Sequence, residues 1–249
     1  MTGLVAVWRL LRLLGHVWAG RRTLGSAWAG LTVAEREATV QRWSAGALRI
    51  LGVAWQVGGE PPQTGPALVV CNHVSWLDIL VLNAVRPCRF VSKSDVRDWP
   101  LLGPLVAASG TVFIERAKRR DAMRVVHDMA ERLQTGDLLA VFPEGTTGDG
   151  QAVLPFHANL LQAAVVTDTP VWPLALAYRH SATGLPHQAP VYVGDTTLLA
   201  SVWRTVCAKD LVAHVWCGLP DTAQGRDRRT WSDALRQDVT RLLDRPLTD

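Results

Sequence analysis

In this 249-residue chain, a histidine, a carboxylate with an arginine, and a glycine-containing polar loop each follow an apolar run. Cys71 leads into Asn72-His73, Ile114 into Glu115-Arg116, and Phe142 into Pro143-Glu144-Gly145-Thr146-Thr147. If the apolar runs are parallel strands, their carboxyl ends share one sheet edge, where such sheets bind ligands. The three sets then converge. His73 and Asp78 are five residues apart, a spacing that on one regular helix rotates two side chains roughly 140° from each other. His73 must therefore precede a helix that begins near Trp76 and carries Asp78 in its first turns. In that geometry the carboxylate accepts from one imidazole nitrogen, fixes the tautomer and stabilises the imidazolium, and the other nitrogen takes a proton from a substrate hydroxyl. The same spacing also suits a loop histidine beside a helix-start carboxylate, and both readings stand at this point.

Other reactive side chains read as structural. Cys71 closes an apolar run, which suits a buried inert thiol better than a nucleophile. Ser75 is near His73 but no GxSxG elbow surrounds it. His157, within Pro155-Phe156-His157-Ala158-Asn159, reads as a helix start with a capping or packing role. Lys93, after Phe90-Val91-Ser92, is a candidate basic contact or a solvated loop lysine.

The elements that must position these groups follow from periodicity. Ala67 to Cys71, Thr111 to Glu115, Leu138 to Phe142 and Val171 to Ala177 read as buried strands separated by stretches long enough for crossover helices. Further strands are expected at Val191 to Val193 and near Leu211 to Cys217. Helices are expected from about Arg119 to Leu133, with Ala122, Val126, Met129 and Leu133 on one face, and from about Trp231 to Leu243. The fold class is α/β, with a mainly parallel central sheet flanked by helices. Gly58 to Pro66 is the clearest break, and it suggests a division into residues 1–60 and an α/β domain over residues 61–249.

The first 60 residues read as helical. From about Val33 to Ala54, apolar residues repeat at steps of three and four. Between Leu4 and Trp18 the polar side chains are Arg9, Arg12 and His16, all on one stripe, and Trp8 and Trp18 lie among the apolar ones. Such an amphipathic helix suits a membrane interface, its arginine stems reaching toward phosphates. A helix docked on its own core is the alternative. No run of 18 apolar residues marks a spanning helix, and arginines interrupt the stretch that a cleaved secretory signal would leave apolar.

Composition narrows the function classes. Apolar residues at 48% with charged residues at 19% exclude a disordered chain. The 23 arginines and three lysines are dispersed, against a formal net charge of only +4, so no nucleic-acid patch is expected. Cys71, Cys88, Cys207 and Cys217 have neither disulfide-scaffold nor metal-ligand spacing, which fits a reducing compartment. Eleven tryptophans beside two tyrosines fit either core packing or a bilayer edge.

Four blocks in order carry a family resemblance. Asn72-His73-Val74-Ser75-Trp76-Leu77-Asp78 resembles the NHxxxxD motif of the glycerophospholipid acyltransferases, the PlsC-like family. Gly110 to Arg116 resembles its GxxFIxR block, Phe142 to Thr147 its FPEGT block, and Pro170-Val171-Trp172-Pro173 its proline-containing fourth block. The resemblance spans roughly Ala67 to Ala177. It implies transfer of a fatty acyl group from acyl-CoA or acyl carrier protein to a lysophospholipid hydroxyl, most simply 1-acylglycerol-3-phosphate, without a metal or cofactor. It implies His73 as the base, Asp78 as its orienting partner, Arg116 as the phosphate contact, and Glu144, Gly145 and Thr146 in acceptor binding, with Lys93 as a further basic contact. It also implies a peripheral or monotopic place on the cytoplasmic membrane face. Many relatives carry arginine after FPEGT, where this chain has Thr147. A different headgroup, such as that of lyso-ornithine lipid, therefore fits the same blocks. A non-catalytic lipid-binding protein and a thioesterase or lysophospholipase are the competing functions.

Overall fold

The computed structural model describes residues 3–114 and 119–245. Helix α1 covers Gly3–Ser26 and α2 covers Val33–Leu51. Thr32 starts α2 with a reciprocal cap: its hydroxyl accepts from Glu35 N at 3.3 Å, and the Glu35 carboxylate accepts from Thr32 N at 2.8 Å. Gly52, at φ 77°, ends the helix in the left-handed region that suits glycine. The helix expected to reach Ala54 therefore stops at Leu51, and strand β1 takes Val53–Gly58. The alternating Val53, Trp55 and Val57 favour that extended state.

Next come β2 (Ala67–Cys71), α3 (Leu77–Val85), β3 (Arg89–Lys93), α4 (Gly103–Ala108), β4 (Val112–Ile114), α5 (Arg119–Gln134) and β5 (Leu138–Val141). The chain continues with α6 (Gln162–Thr167), β6 (Val171–His180), α7 (Leu198–Cys207), β7 (Leu211–Cys217) and α8 (Arg228–Leu243). The strands form one sheet in the order β1-β7-β6-β2-β5-β3-β4. Neighbours from β6 to β4 are parallel, β7 runs antiparallel to β6, and β1 is parallel to β7. The expected mainly parallel sheet is thus present, with a reversed pair at one edge.

Strand alternation divides the core. Ala67, Val69 and Cys71 of β2 face a layer built with Leu48 of α2, Leu77 of α3 and Val206 of α7. Leu68 and Val70 face Met129 and Leu133 of α5, Ala164 of α6 and Trp231 of α8. Because β1 pairs with β7, the Gly58–Pro66 segment joins two strands of one sheet. The division drawn at residue 60 runs through a shared core that also includes Ala6 and Leu51.

The strand expected at Val191 to Val193 is a loop. Its hydrogen bonds run elsewhere: Tyr192 N donates to Val74 O at 3.0 Å, and Arg204 of α7 donates to Val191 O at 2.7 Å. No ladder partner is left for a strand there.

Helix α1 docks by a mixed side, on which Ala6 and Val17 are buried, Leu10 and Leu13 pack against the core, and Arg9 and His16 add polar contacts. Arg9 packs over Gly52 and donates to Val206 O at 3.0 Å. His16 stacks on Trp43 with ring centroids 5.0 Å apart and donates from Nε2 to Trp43 O at 2.8 Å. Arg9 and His16 therefore turn inward rather than toward an outer surface, and only Arg12 of the expected basic stripe stays exposed. The exposed side of α1 is apolar, with Leu4, Trp8, Leu11, Leu14 and Trp18 all more than half exposed. Among the described residues no helix is long and apolar enough to cross a membrane.

Glycines make the α1–α2 crossing close. A Cβ on Gly46 would stand 2.8 Å from the His16 ring, and one on Gly20 would stand 2.6 Å from Trp43 Nε1. Gly46→Val is expected to push the His16 ring off Trp43 and lower stability by about 1 to 3 kcal/mol, the usual cost of overpacking. Urea denaturation monitored by circular dichroism checks this, and an unchanged midpoint would contradict the packing.

Candidate active site

Strand β2 leaves the sheet at Cys71, and the next side chain replaces the missing ladder. Asn72 donates from Nδ2 to Leu176 O at 2.9 Å and accepts at Oδ1 from Leu176 N at 2.8 Å. Both backbone groups of Leu176 on β6 are satisfied this way inside the core. The turn after β2 is consequently tied to β6 one residue before His73.

Asp78 lies in the first turn of α3 and has no solvent exposure. Its Oδ2 accepts from His73 Nδ1 at 2.8 Å, from Val74 N at 2.7 Å and from Ser75 N at 2.9 Å. Its Oδ1 accepts from the Tyr178 hydroxyl at 2.7 Å. An oxygen that already takes two backbone N–H groups acts as an acceptor, so His73 Nδ1 is the donor in this contact and Nε2 is left out of it. The His73 side chain is 18% exposed where Asp78 is sealed. The structure thus brings together the two residues expected to pair, with the histidine in the turn and the carboxylate on the helix.

The loop after β5 grips the same turn from behind. Glu144 Oε1 accepts from His73 N at 2.6 Å and its Oε2 accepts from Leu154 N at 2.9 Å, while Gly148 N donates to His73 O at 2.7 Å. The Phe142 ring stacks on the imidazole with centroids 3.9 Å apart and planes 10° apart. Glu144, expected to bind the acceptor, instead uses both carboxylate oxygens on backbone N–H groups and is buried. Burial raises its pKa, against the lowering effect of those two hydrogen bonds and of His73. Gly145 turns the loop at φ 69°, Thr146 is exposed, and Thr147 donates to Tyr192 O. Arg116 and the side chain of Lys93 lie outside what is described.

The remaining candidates are structural, as their sequence contexts suggest. Ser75 Oγ accepts from Leu77 N at 3.3 Å and is fully buried. Burial, reinforced by the charges of Asp78 and Glu144, holds the Cys71 thiol far above its ordinary pKa and keeps it protonated. His157 precedes a short helical turn at Ala158–Leu161 without a side-chain cap bond.

Tyr178 is the site residue that motif reading missed. It lies on β6, two residues past Leu176, and period-two alternation from Leu174 and Leu176 aims it at the α3 layer. Burial first, and then the adjacent Asp78 charge, push its hydroxyl well above the ordinary pKa, so it stays a donor. Tyr178→Phe leaves Asp78 Oδ1 without that donor, and a loss on the order of 2 kcal/mol is expected for a hydrogen bond to a buried charge. Chemical denaturation measures it, and a neutral substitution would mean that Asp78 does not depend on this contact.

Comparison with known proteins places this geometry in a family. The family model described as Acyltransferase matches residues 56–177. A 1-acyl-sn-glycerol-3-phosphate acyltransferase of Neisseria gonorrhoeae is 35% identical over 210 residues, covering 84% of this chain and 82% of that protein. A lyso-ornithine lipid O-acyltransferase of Pseudomonas aeruginosa is 36% identical over 208 residues, covering 84% of this chain and 79% of that protein. The fold is also that of the crystal structure of the 1-acyl-sn-glycerophosphate acyltransferase PlsC from Thermotoga maritima, with a TM-score of 0.66 at 18% identity over 98% of this chain and 97% of that one. The sheet, the ordered blocks and these relatives lead to one conclusion: the chain belongs to the acyltransferase family that includes the 1-acyl-sn-glycerol-3-phosphate acyltransferases, and it is an acyltransferase.

Proposed function

We propose that the chain transfers a fatty acyl group from acyl-CoA or acyl carrier protein to the free hydroxyl of a lysophospholipid, with His73 as general base. The observation that carries this is the hydrogen bond from His73 Nδ1 to the sealed Asp78 carboxylate, which leaves Nε2 as the basic nitrogen. The acceptor hydroxyl attacks the thioester carbonyl carbon as Nε2 takes its proton. Asp78 stabilises the imidazolium. Collapse of the tetrahedral species breaks the C–S bond, and the imidazolium returns the proton to the thiolate. The step balances with donor, acceptor and one imidazole, so no cofactor enters it.

For the acceptor, 1-acylglycerol-3-phosphate is the first reading, with Arg116 assigned to its phosphate by the motif match. Lyso-ornithine lipid is the second. It is favoured by Thr147, which stands where many relatives have a cation and whose hydroxyl is engaged with Tyr192 O. His73→Ala is expected to lower acyl transfer by about 100-fold or more while preserving the fold. Labelled donor and a panel of both acceptors measure it. Wild-type rates in the variant would remove the base assignment, and the preferred acceptor separates the two headgroups.

A membrane-bound setting, peripheral on the cytoplasmic face, is part of the same proposal. It is supported by the exposed apolar side of α1 and by its two tryptophan–arginine pairs, Arg12 over Trp8 at 4.6 Å and Arg22 over Trp18 at 4.9 Å. Because Ala6 and Val17 of α1 are buried in the protein, point changes test this better than deletion. The triple variant Trp8→Ser, Leu11→Ser and Trp18→Ser removes roughly 1 to 3 kcal/mol of burial per side chain. It is expected to move from sedimented vesicles to the supernatant with its thermal melting unchanged. Retained sedimentation would mean that α1 faces water.

A further inference from the structure

Helix α7 lies outside the residues matched by the family model and presents an apolar pair of its own. Leu199 is 82% exposed and Trp203 is 45% exposed, one helical turn apart on the outer side. The inner side carries Ser201, Thr205 and Val206, all fully buried. A core has no use for an exposed leucine–tryptophan pair on so amphipathic a helix, so the pair asks for a partner.

Two features identify that partner's chemistry. Helix α7 packs beside α1: Arg9 of α1 donates to Val206 O and Ala208 O at the end of α7. Neither helix contains an aspartate or a glutamate, and their exposed arginines are Arg12, Arg21, Arg22 and Arg204. Apolar side chains among arginines, with no carboxylate, complement an anionic phospholipid surface.

We infer that α7 is a second bilayer-contacting element, with Leu199 and Trp203 seated in the headgroup boundary beside α1. This rests on the membrane reading of α1 and extends it to a helix that touches the active-site turn. On the inner face of α7, Ser201 Oγ accepts from Trp76 Nε1 at 3.0 Å, and Trp76 stands between His73 and Asp78 in sequence. Arg204 holds Val191 O, and the neighbouring Tyr192 N donates to Val74 O. The helix that meets lipid on one side therefore braces the His73 turn on the other, and sets the height of the imidazole above the bilayer.

The test places an environment-sensitive fluorophore at Leu199→Cys and, separately, at Leu11→Cys on α1, in a Cys207→Ser background whose remaining native cysteines are buried. The probe is a vesicle of phosphatidylethanolamine and phosphatidylglycerol. Both labels are expected to shift to the blue on vesicle addition. The unlabelled double variant Leu199→Ser and Trp203→Ser is expected to partition about tenfold more weakly with unchanged thermal melting. A response at position 11 with none at 199 would overturn the role of α7 and leave the α1 reading intact. Silence at both positions would remove both. A blue-shifted Leu199 label before lipid is added, together with a dimer by sedimentation, would show that a second copy covers this face and would also overturn the inference.

Discussion

A carboxylate removed from water costs several kcal/mol unless donors replace its hydration. Asp78 meets that condition with four hydrogen bonds drawn from three parts of the fold: the His73 ring, the backbone of Val74 and Ser75, and the Tyr178 hydroxyl. Each donor fixes something. The backbone pair curls the turn after β2 back over the start of α3, and Tyr178 ties that start to β6. The imidazole, as the last donor to the same oxygen, has its tautomer and ring plane decided together. Loss of the carboxylate would release the turn, the helix start and the ring at once, which is why the geometry of the imidazole is inseparable from the packing of the sheet.

Glu144 performs a second, distinct task with a similar group. Its two oxygens bind His73 N and Leu154 N, so it holds the backbone that carries the ring, where Asp78 holds the ring itself. Phe142, from the same block, closes one face of the imidazole. The loop after β5 thus acts from behind His73. Thr147, from the same loop, donates its hydroxyl to Tyr192 O.

Much of this was legible because short apolar runs in a parallel sheet have few alternatives. Ala67–Cys71 and Leu211–Cys217 form strands at their expected bounds, and every residue of both is buried. The pairing of His73 with Asp78 was one of the two readings that a spacing excluding a common helix allowed. What escaped has physical causes. Val53 and Ala54 continued a helical repeat and instead open strand β1, because a left-handed glycine intervened and β7 offered an edge. Val191 to Val193 has strand composition, but its hydrogen bonds go to α7 and the His73 turn. Tyr178 was hidden because a tyrosine on a core strand announces nothing until its partner 100 residues away is known.

The polarity of α1 illustrates a limit of periodicity. An amphipathic pattern states that two sides differ, but not which side meets the protein. Here Ala6, Leu10, Leu13 and Val17 dock together with Arg9 and His16, whose N–H groups satisfy backbone carbonyls, while a second apolar side stays outward. Helix packing by polar contacts of this kind has a consequence for a lipid-modifying enzyme. A single apolar stripe cannot be buried in the core and also face a bilayer. Anchoring α1 through Ala6, Leu10, Leu13, Val17, the two polar side chains and the close glycine contacts leaves Leu4, Trp8, Leu11, Leu14 and Trp18 unused by the fold. On the proposed membrane-bound reading, stability and lipid contact then draw on different faces of the same helix, and changing one face need not weaken the other.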